Sequence, residues 1–128
     1  MASEIVLDSS AILAMIKAEP GWERVVAALP GAVMSSVNAA EVYSKLIEWR
    51  MTPDEQQKFQ AVLADLVVAF DNDLALRTGA LRAATKAHGL SIGDRACLAL
   101  AQRLQVRAMT ADKAWSAAKT GVEIDLIR

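Results

Sequence analysis

Four acidic residues carry the chemistry this sequence offers: Asp8, Glu41, Asp94 and Asp112. Asp8 directly follows the apolar run Ile5-Val6-Leu7, and Asp112 closely follows the run Val106 to Met109. Glu41 lies in SSVNAAEVYSKL and Asp94 in LSIGDRACLALA, each near the start of a helical stretch. Carboxylates gathered in one cleft repel one another, and protonation or a bound cation must relieve that. Oxygen-only ligands suit Mg2+ or Mn2+, and the lack of a His or Cys cluster argues against zinc. A hard cation held by carboxylates activates water and neutralises charge on a phosphoryl oxygen. Helix N-termini at the same edge favour anionic phosphate. The chemistry these residues suggest is metal-assisted phosphodiester hydrolysis. Asp94 also precedes Cys97, Leu98 and Ala101 at helical spacing, in line with an apolar face where a carboxylate needs a partner.

The elements that must position these acids alternate along the chain. Apolar, mostly β-branched runs at Glu4 to Leu7, Ala32 to Met34, Leu66 to Phe70, Val106 to Met109 and Val122 to Ile127 predict strands. Between them, Trp22/Val25/Val26/Leu29, Phe59/Val62/Leu63/Leu66 and Cys97/Leu100/Ala101/Leu104 have the i, i+3, i+4, i+7 spacing of helices. Thr52-Pro53-Asp54-Glu55 reads as a helix start, Pro20-Gly21 and Pro30-Gly31 as turns, and His88-Gly89 as a helix end. Strands separated by helices, without a two-residue hairpin signal, imply crossovers and a mostly parallel sheet. The predicted fold class is α/β: a three-layer α/β/α sandwich with about five strands, the alternating VEIDLI run at one edge. In such sheets ligands bind beyond the carboxyl ends of the strands, where strand order reverses. All four acids follow a strand or open a helix there.

Each acid also has a plain structural reading. Asp8 suits an N-cap, Asn38-x-x-Glu41 and Ser91-x-x-Asp94 have the form of capping boxes, and Asp112 suits the cap of a short helix. Glu41 can also pair with Lys45 one turn on. Ser10 and Thr110 flank Asp8 and Asp112 and can orient a carboxylate or water, or cap a turn. Asp71 and Asp73 read as a loop running into an N-cap, His88 as a solvated helix end, and Cys97 as a small core residue. Trp22, Trp49 and Trp115 read as core or interface residues, Trp115 with the further option of stacking on a base. Lys17, Lys45, Arg50, Arg95 and Lys113 are candidates for a phosphate track.

At 128 residues the chain is expected to form a single domain, 1–128. Fourteen basic against fifteen acidic side chains, net −1, exclude a nucleic-acid binder that works by bulk positive charge. One cysteine and no signal-peptide pattern make a reducing cytoplasm the expected location, and no segment is long enough to span a bilayer.

IVLDSSAILAMI, SSVNAAEVYSKL, LSIGDRACLALAQRL and AMTADKAW, in that order and through nearly the whole chain, resemble the PIN-domain ribonucleases. The likeness is strongest to VapC-type toxins of VapBC toxin–antitoxin pairs. The resemblance implies a PIN-like fold and a Mg2+- or Mn2+-dependent endoribonuclease acting on RNA, often tRNA or rRNA. It implies a VapB-type antitoxin partner and a homodimer. It assigns catalysis and metal binding to Asp8, Glu41, Asp94 and Asp112. Asp8 and Asp94 are expected to bind metal directly, and Glu41 and Asp112 through water or by orienting the attacking water. Ser10 and Thr110 are expected to support them from behind. Two other classes stand beside this reading: a receiver-like signalling module with Asp71 or Asp73 as phospho-acceptor, and a non-catalytic binding scaffold.

Overall fold

The apolar runs become five parallel strands in the computed structural model, which describes residues 3–128. These are β1 (Ile5–Leu7), β2 (Ala32–Ser35), β3 (Val67–Val68), β4 (Arg107–Thr110) and β5 (Ile124–Leu126). They lie in the order β3-β2-β1-β4-β5, and every neighbouring pair is parallel. The α/β class, the parallel sheet and the five strands are as the sequence predicts, with VEIDLI at an edge. The third run is the least complete. Only Val67 and Val68 pair, because the Phe70 N–H is taken by Ser36 Oγ at 3.1 Å and the chain leaves the sheet.

Among the described residues seven helices cover the sheet: α1 (Ser9–Ile16), α2 (Trp22–Ala28), α3 (Ser36–Glu48), α4 (Pro53–Ala64), α5 (Asn72–Ala80), α6 (Arg82–Thr85) and α7 (Ile92–Leu104). Successive strand residues point to opposite faces, which divides the core in two. Ile5, Leu7, Met34 and Met109 pack with Ile12 of α1, Val25 of α2, Val42 and Leu46 of α3 and Leu63 of α4. Val6 and Ala108 pack on the other face with Leu74 of α5, Cys97, Leu98 and Leu100 of α7, and Trp115. These are the three expected layers. Helix α7 is buried along most of its length, and its small residues Gly93, Ala96, Ala99 and Ala101 let it lie between α3, α5 and the sheet.

Local chemistry sets the boundaries. Thr52 and Glu55 form a reciprocal capping box with Pro53 at the first helical position of α4. Gly89 closes the turn Lys86–His88 in a left-handed conformation at φ 69°, beside an exposed His88. The apolar stripe predicted on α2 is only partly buried: Val25 is inside, whereas Trp22 and Val26 face solvent. Among the described residues no helix is long and apolar enough to cross a membrane.

With this strand order, chain direction across the sheet reverses between β1 and β4. That crevice, at the carboxyl ends of the two strands, is where the architecture binds ligands. Asp8 leaves β1 there, its N–H bonded to the Met109 carbonyl of β4 at 2.9 Å.

Candidate active site

Asp8 occupies the N-cap position of α1 but does not cap it with its side chain. Its Oδ2 instead accepts hydrogen bonds from Ser10 Oγ at 2.7 Å and Thr110 Oγ1 at 3.0 Å. The two hydroxyls are fixed in turn: Ser10 Oγ accepts from the Ala111 N–H and Thr110 Oγ1 from the Asp112 N–H. Thr110 ends β4, so this network ties the first strand to the fourth across the crevice. Oδ1, the other oxygen of Asp8, is buried and has no hydrogen-bond partner. Burial, opposed by the two hydroxyls and reinforced by Asp94 and Glu41, pushes the Asp8 carboxyl up to about 7.

Asp94 performs the capping role read from the sequence. Its Oδ2 accepts from the Ser91 N–H at 2.8 Å, and its own N–H donates to Ser91 Oγ, so Asp94 is held in the first turn of α7. Burial still raises its proton affinity against those bonds, and the charges of Asp112 and Glu41 raise it further. Asp112 is exposed and caps the short turn Lys113–Ala117 by accepting from the Ala114 N–H at 2.9 Å. Cap and candidate ligand are therefore compatible roles for both residues.

Glu41 departs from the capping-box reading. Helix α3 starts at Ser36 with Ser35 as its cap, so Asn38 lies inside the helix. Asn38 is fully buried, and its amide nitrogen donates to Glu41 Oε1 at 2.9 Å and to the Gly93 carbonyl at 3.0 Å. Lys45, the other suggested partner of Glu41, pairs with Glu48 instead.

Asp8 thus feels Asp94 and Glu41, and Asp94 feels Asp112 and Glu41, which links all four acids electrostatically. Among the described residues none of the four is in an ion pair. Cys97 lies fully buried beneath them, its thiol pushed well above its ordinary value by burial and then by Asp8, Asp94 and Glu41. Among the described residues no three His, Cys, Asp or Glu side chains converge tightly enough to hold an ion as they stand. The donor set nevertheless fits a hard divalent cation. It is all oxygen, carries uncompensated negative charge and includes a buried carboxylate oxygen with no partner.

Other residues singled out from the sequence lie elsewhere. Trp115 is fully buried, which excludes stacking on a base. Asp71 caps α5 and is bound by Arg103, and Asp73 pairs with Arg77 and Arg103. Both follow the edge strand β3, far along the sheet order from the β1–β4 crevice, so neither suits the receiver-like reading. Lys17 lies over the Trp49 ring at 4.3 Å, and Arg95 donates to the Thr78 carbonyl. Asn38 is the residue that sequence reasoning left out of the site; a Glu three residues on was the signal, and it pointed equally to a cap.

A family model for the PIN domain matches residues 5–120, and the chain belongs to the PIN domain family. Its fold is similar to that of a toxin–antitoxin complex from Klebsiella pneumoniae, at TM-score 0.77 and 17% identity over 98% of each chain. It is also similar to DNA-bound VapBC from Salmonella typhimurium, at TM-score 0.76 and 18% identity over 98% of this chain and 99% of that one. FitAcB from Neisseria gonorrhoeae aligns at TM-score 0.70 and 21% identity over 96% and 97%. No curated protein matches the sequence.

Proposed function

We propose that this chain is a divalent-metal-dependent endoribonuclease and the toxin of a VapBC-type toxin–antitoxin pair. The observation that carries the reading is Asp8: a buried carboxylate oxygen without a hydrogen-bond partner, near three further acids and, among the described residues, in no ion pair. PIN domains are typically nucleases, and similar folds occur in toxin–antitoxin complexes, which supports a nuclease of toxin type with an antitoxin as partner. A homodimer and a structured RNA substrate such as tRNA or rRNA belong to the same proposal.

Asp8 and Asp94 would hold Mg2+ or Mn2+ directly, with Glu41 and Asp112 further out. Bound there, the ion would supply charge neutralisation at phosphorus and a more acidic water. The chain's own residues do the rest. Ser10 and Thr110 fix Asp8 through Oδ2 and leave Oδ1 without a hydrogen bond. The Ser91 box keeps Asp94 at the first turn of α7, whose N–H groups favour an anionic phosphate. Glu41 and Asp112 would orient the water that attacks phosphorus by accepting its hydrogen bonds, and the proton it loses as its oxygen bonds to phosphorus passes to solvent. The P–O bond to the leaving ribose oxygen then breaks, and that oxygen takes its proton from solvent.

The test is expression in cells followed by end-mapping of RNA fragments, comparing the wild-type chain with Asp94→Asn. New RNA ends at defined positions with wild type, absent with Asp94→Asn, are the expected result. Growth arrest that survives loss of all four acids, with no new RNA ends, would refute the proposal and favour a binding scaffold.

A further inference from the structure

Gly93 sits in the first turn of α7, where nothing about its backbone requires glycine: the left-handed glycines of the chain are Gly21, Gly89 and Gly121. What it provides is space. A Cβ at residue 93 would stand 2.5 Å from Glu41 Oε2 and 2.7 Å from Oε1. The Glu41 carboxylate therefore lies directly against the Gly93 α-carbon. Asn38 holds the same two residues from below, its amide donating to Glu41 Oε1 and to the Gly93 carbonyl. Both acceptors face one nitrogen, so the amide orientation is determined; a flipped amide would set oxygen against oxygen. Its own oxygen is left buried without a partner, a cost that an apolar residue would avoid. The hydrogen bonds to Glu41 and α7 are what the asparagine supplies in return.

We infer that Asn38 and Gly93 form a clamp that fixes the Glu41 carboxylate against the first turn of α7, beside Asp94. Asn38 is a positioning residue and Gly93 supplies the slot; neither meets the reacting atoms. The inference rests on the proposed hydrolase reading for its functional consequence, but its geometry is independent of it. Glu41 Oε1 is held by the amide, while Oε2 takes no hydrogen bond from Asn38 and lies against Gly93. The clamp also couples α3 to α7, so that Glu41 and Asp94 keep a constant separation.

Gly93→Ala separates positioning from folding. The atoms in the way are the far end of a flexible side chain, and alanine favours a helix over glycine. Thermal stability is therefore expected to hold or rise while Glu41 is displaced. In the metal-free protein, the Asn38 side-chain amide signals in a 15N-edited NMR spectrum should exchange slowly. One of the pair should move and exchange faster in Glu41→Ala and in Gly93→Ala. Titration with Mn2+, followed by electron paramagnetic resonance, should show affinity about 10- to 100-fold weaker in Gly93→Ala and Asn38→Ala. No further loss is expected when Gly93→Ala is added to Glu41→Gln. Wild-type Mn2+ affinity in Gly93→Ala, or an Asn38 amide indifferent to both substitutions, overturns the clamp. If the wild-type chain binds no Mn2+ while the amide responds as described, the metal-dependent reading fails and the clamp stands.

Discussion

Neutralising Asp8 should stabilise the metal-free protein at alkaline pH and leave it unchanged only where the unfolded carboxyl is itself protonated, at about pH 3.8 and below. The Asp8 carboxyl rises from 3.8 to about 7 on folding, mainly through burial. Below 3.8 the group is protonated in both states and contributes no pH dependence. Between 3.8 and about 7 the unfolded chain releases the proton and the folded chain retains it, so folding stability falls as pH rises through that window. Each tenfold difference in proton affinity is worth 1.36 kcal/mol, which sets a ceiling of about 4 kcal/mol for this one group. Asp94 is raised too and adds to the loss in the same direction. Glu55 and Asp71 are lowered, so their contributions are lost as pH falls below 4.5 and 3.8 respectively, at the acid end of the window and in both proteins alike. In Asp8→Asn the amide oxygen still accepts from Ser10 and Thr110 while the charge is gone. Urea unfolding, followed by tryptophan fluorescence through the buried Trp115, reads the difference. The variant should match wild type only at about pH 3.8 and below, gain on it as pH rises through the window, and exceed it by about 2–4 kcal/mol at pH 8.5, equivalent to roughly 10 °C in Tm. Parallel pH profiles for the two proteins would refute the account of Asp8 as a buried, uncompensated carboxylate.

Other consequences are measurable with the same protein. Mg2+ or Mn2+ at a hundred times its dissociation constant should stabilise the wild type by about 2.7 kcal/mol at pH 8, and Asp8→Asn should lose that gain. Thr110→Val removes one of the two hydroxyls on Asp8 and strands the Asp112 N–H; a loss of about 1–3 kcal/mol in urea unfolding is expected. Leu98→Ala opens a cavity in the fully buried core under α7 and should cost about 2–5 kcal/mol by the same assay. Trp115→Phe should leave RNA affinity unchanged in a filter-binding measurement, because the indole is sealed inside the protein.

How far the sequence discloses the molecule depends on what each pattern can distinguish. Strand runs such as Ile5-Val6-Leu7 are short, apolar and bounded by polar residues, and the parallel crossover logic follows from them; the sheet was legible for that reason. The acids were legible as candidates because Asp8 and Asp112 follow strands, Asp94 lies in a helix's first turn and Glu41 one turn into the helix that follows β2. Asn38 was not, since Asn-x-x-Glu describes both a capping box and a pair one turn inside a helix. Only the true start of α3 at Ser36, with Ser35 as cap, decides between them. Gly93 was equally silent, because a glycine needed for space is indistinguishable in sequence from one that merely tolerates its position. Trp115 pointed both ways until the turn Lys113–Ala117 was seen to fold it under the sheet. The α2 stripe failed because a seven-residue helix turns only Val25 fully inward.

The central claim is that the four acids act together as a cation site. Diffraction from crystals soaked in Mn2+, collected at the manganese edge, tests it most directly. An anomalous peak bonded to Asp8 and Asp94, with Glu41 and Asp112 around it, is expected, and it should disappear in Asp8→Asn. Manganese bound elsewhere on the chain, with these carboxylates untouched, would contradict it.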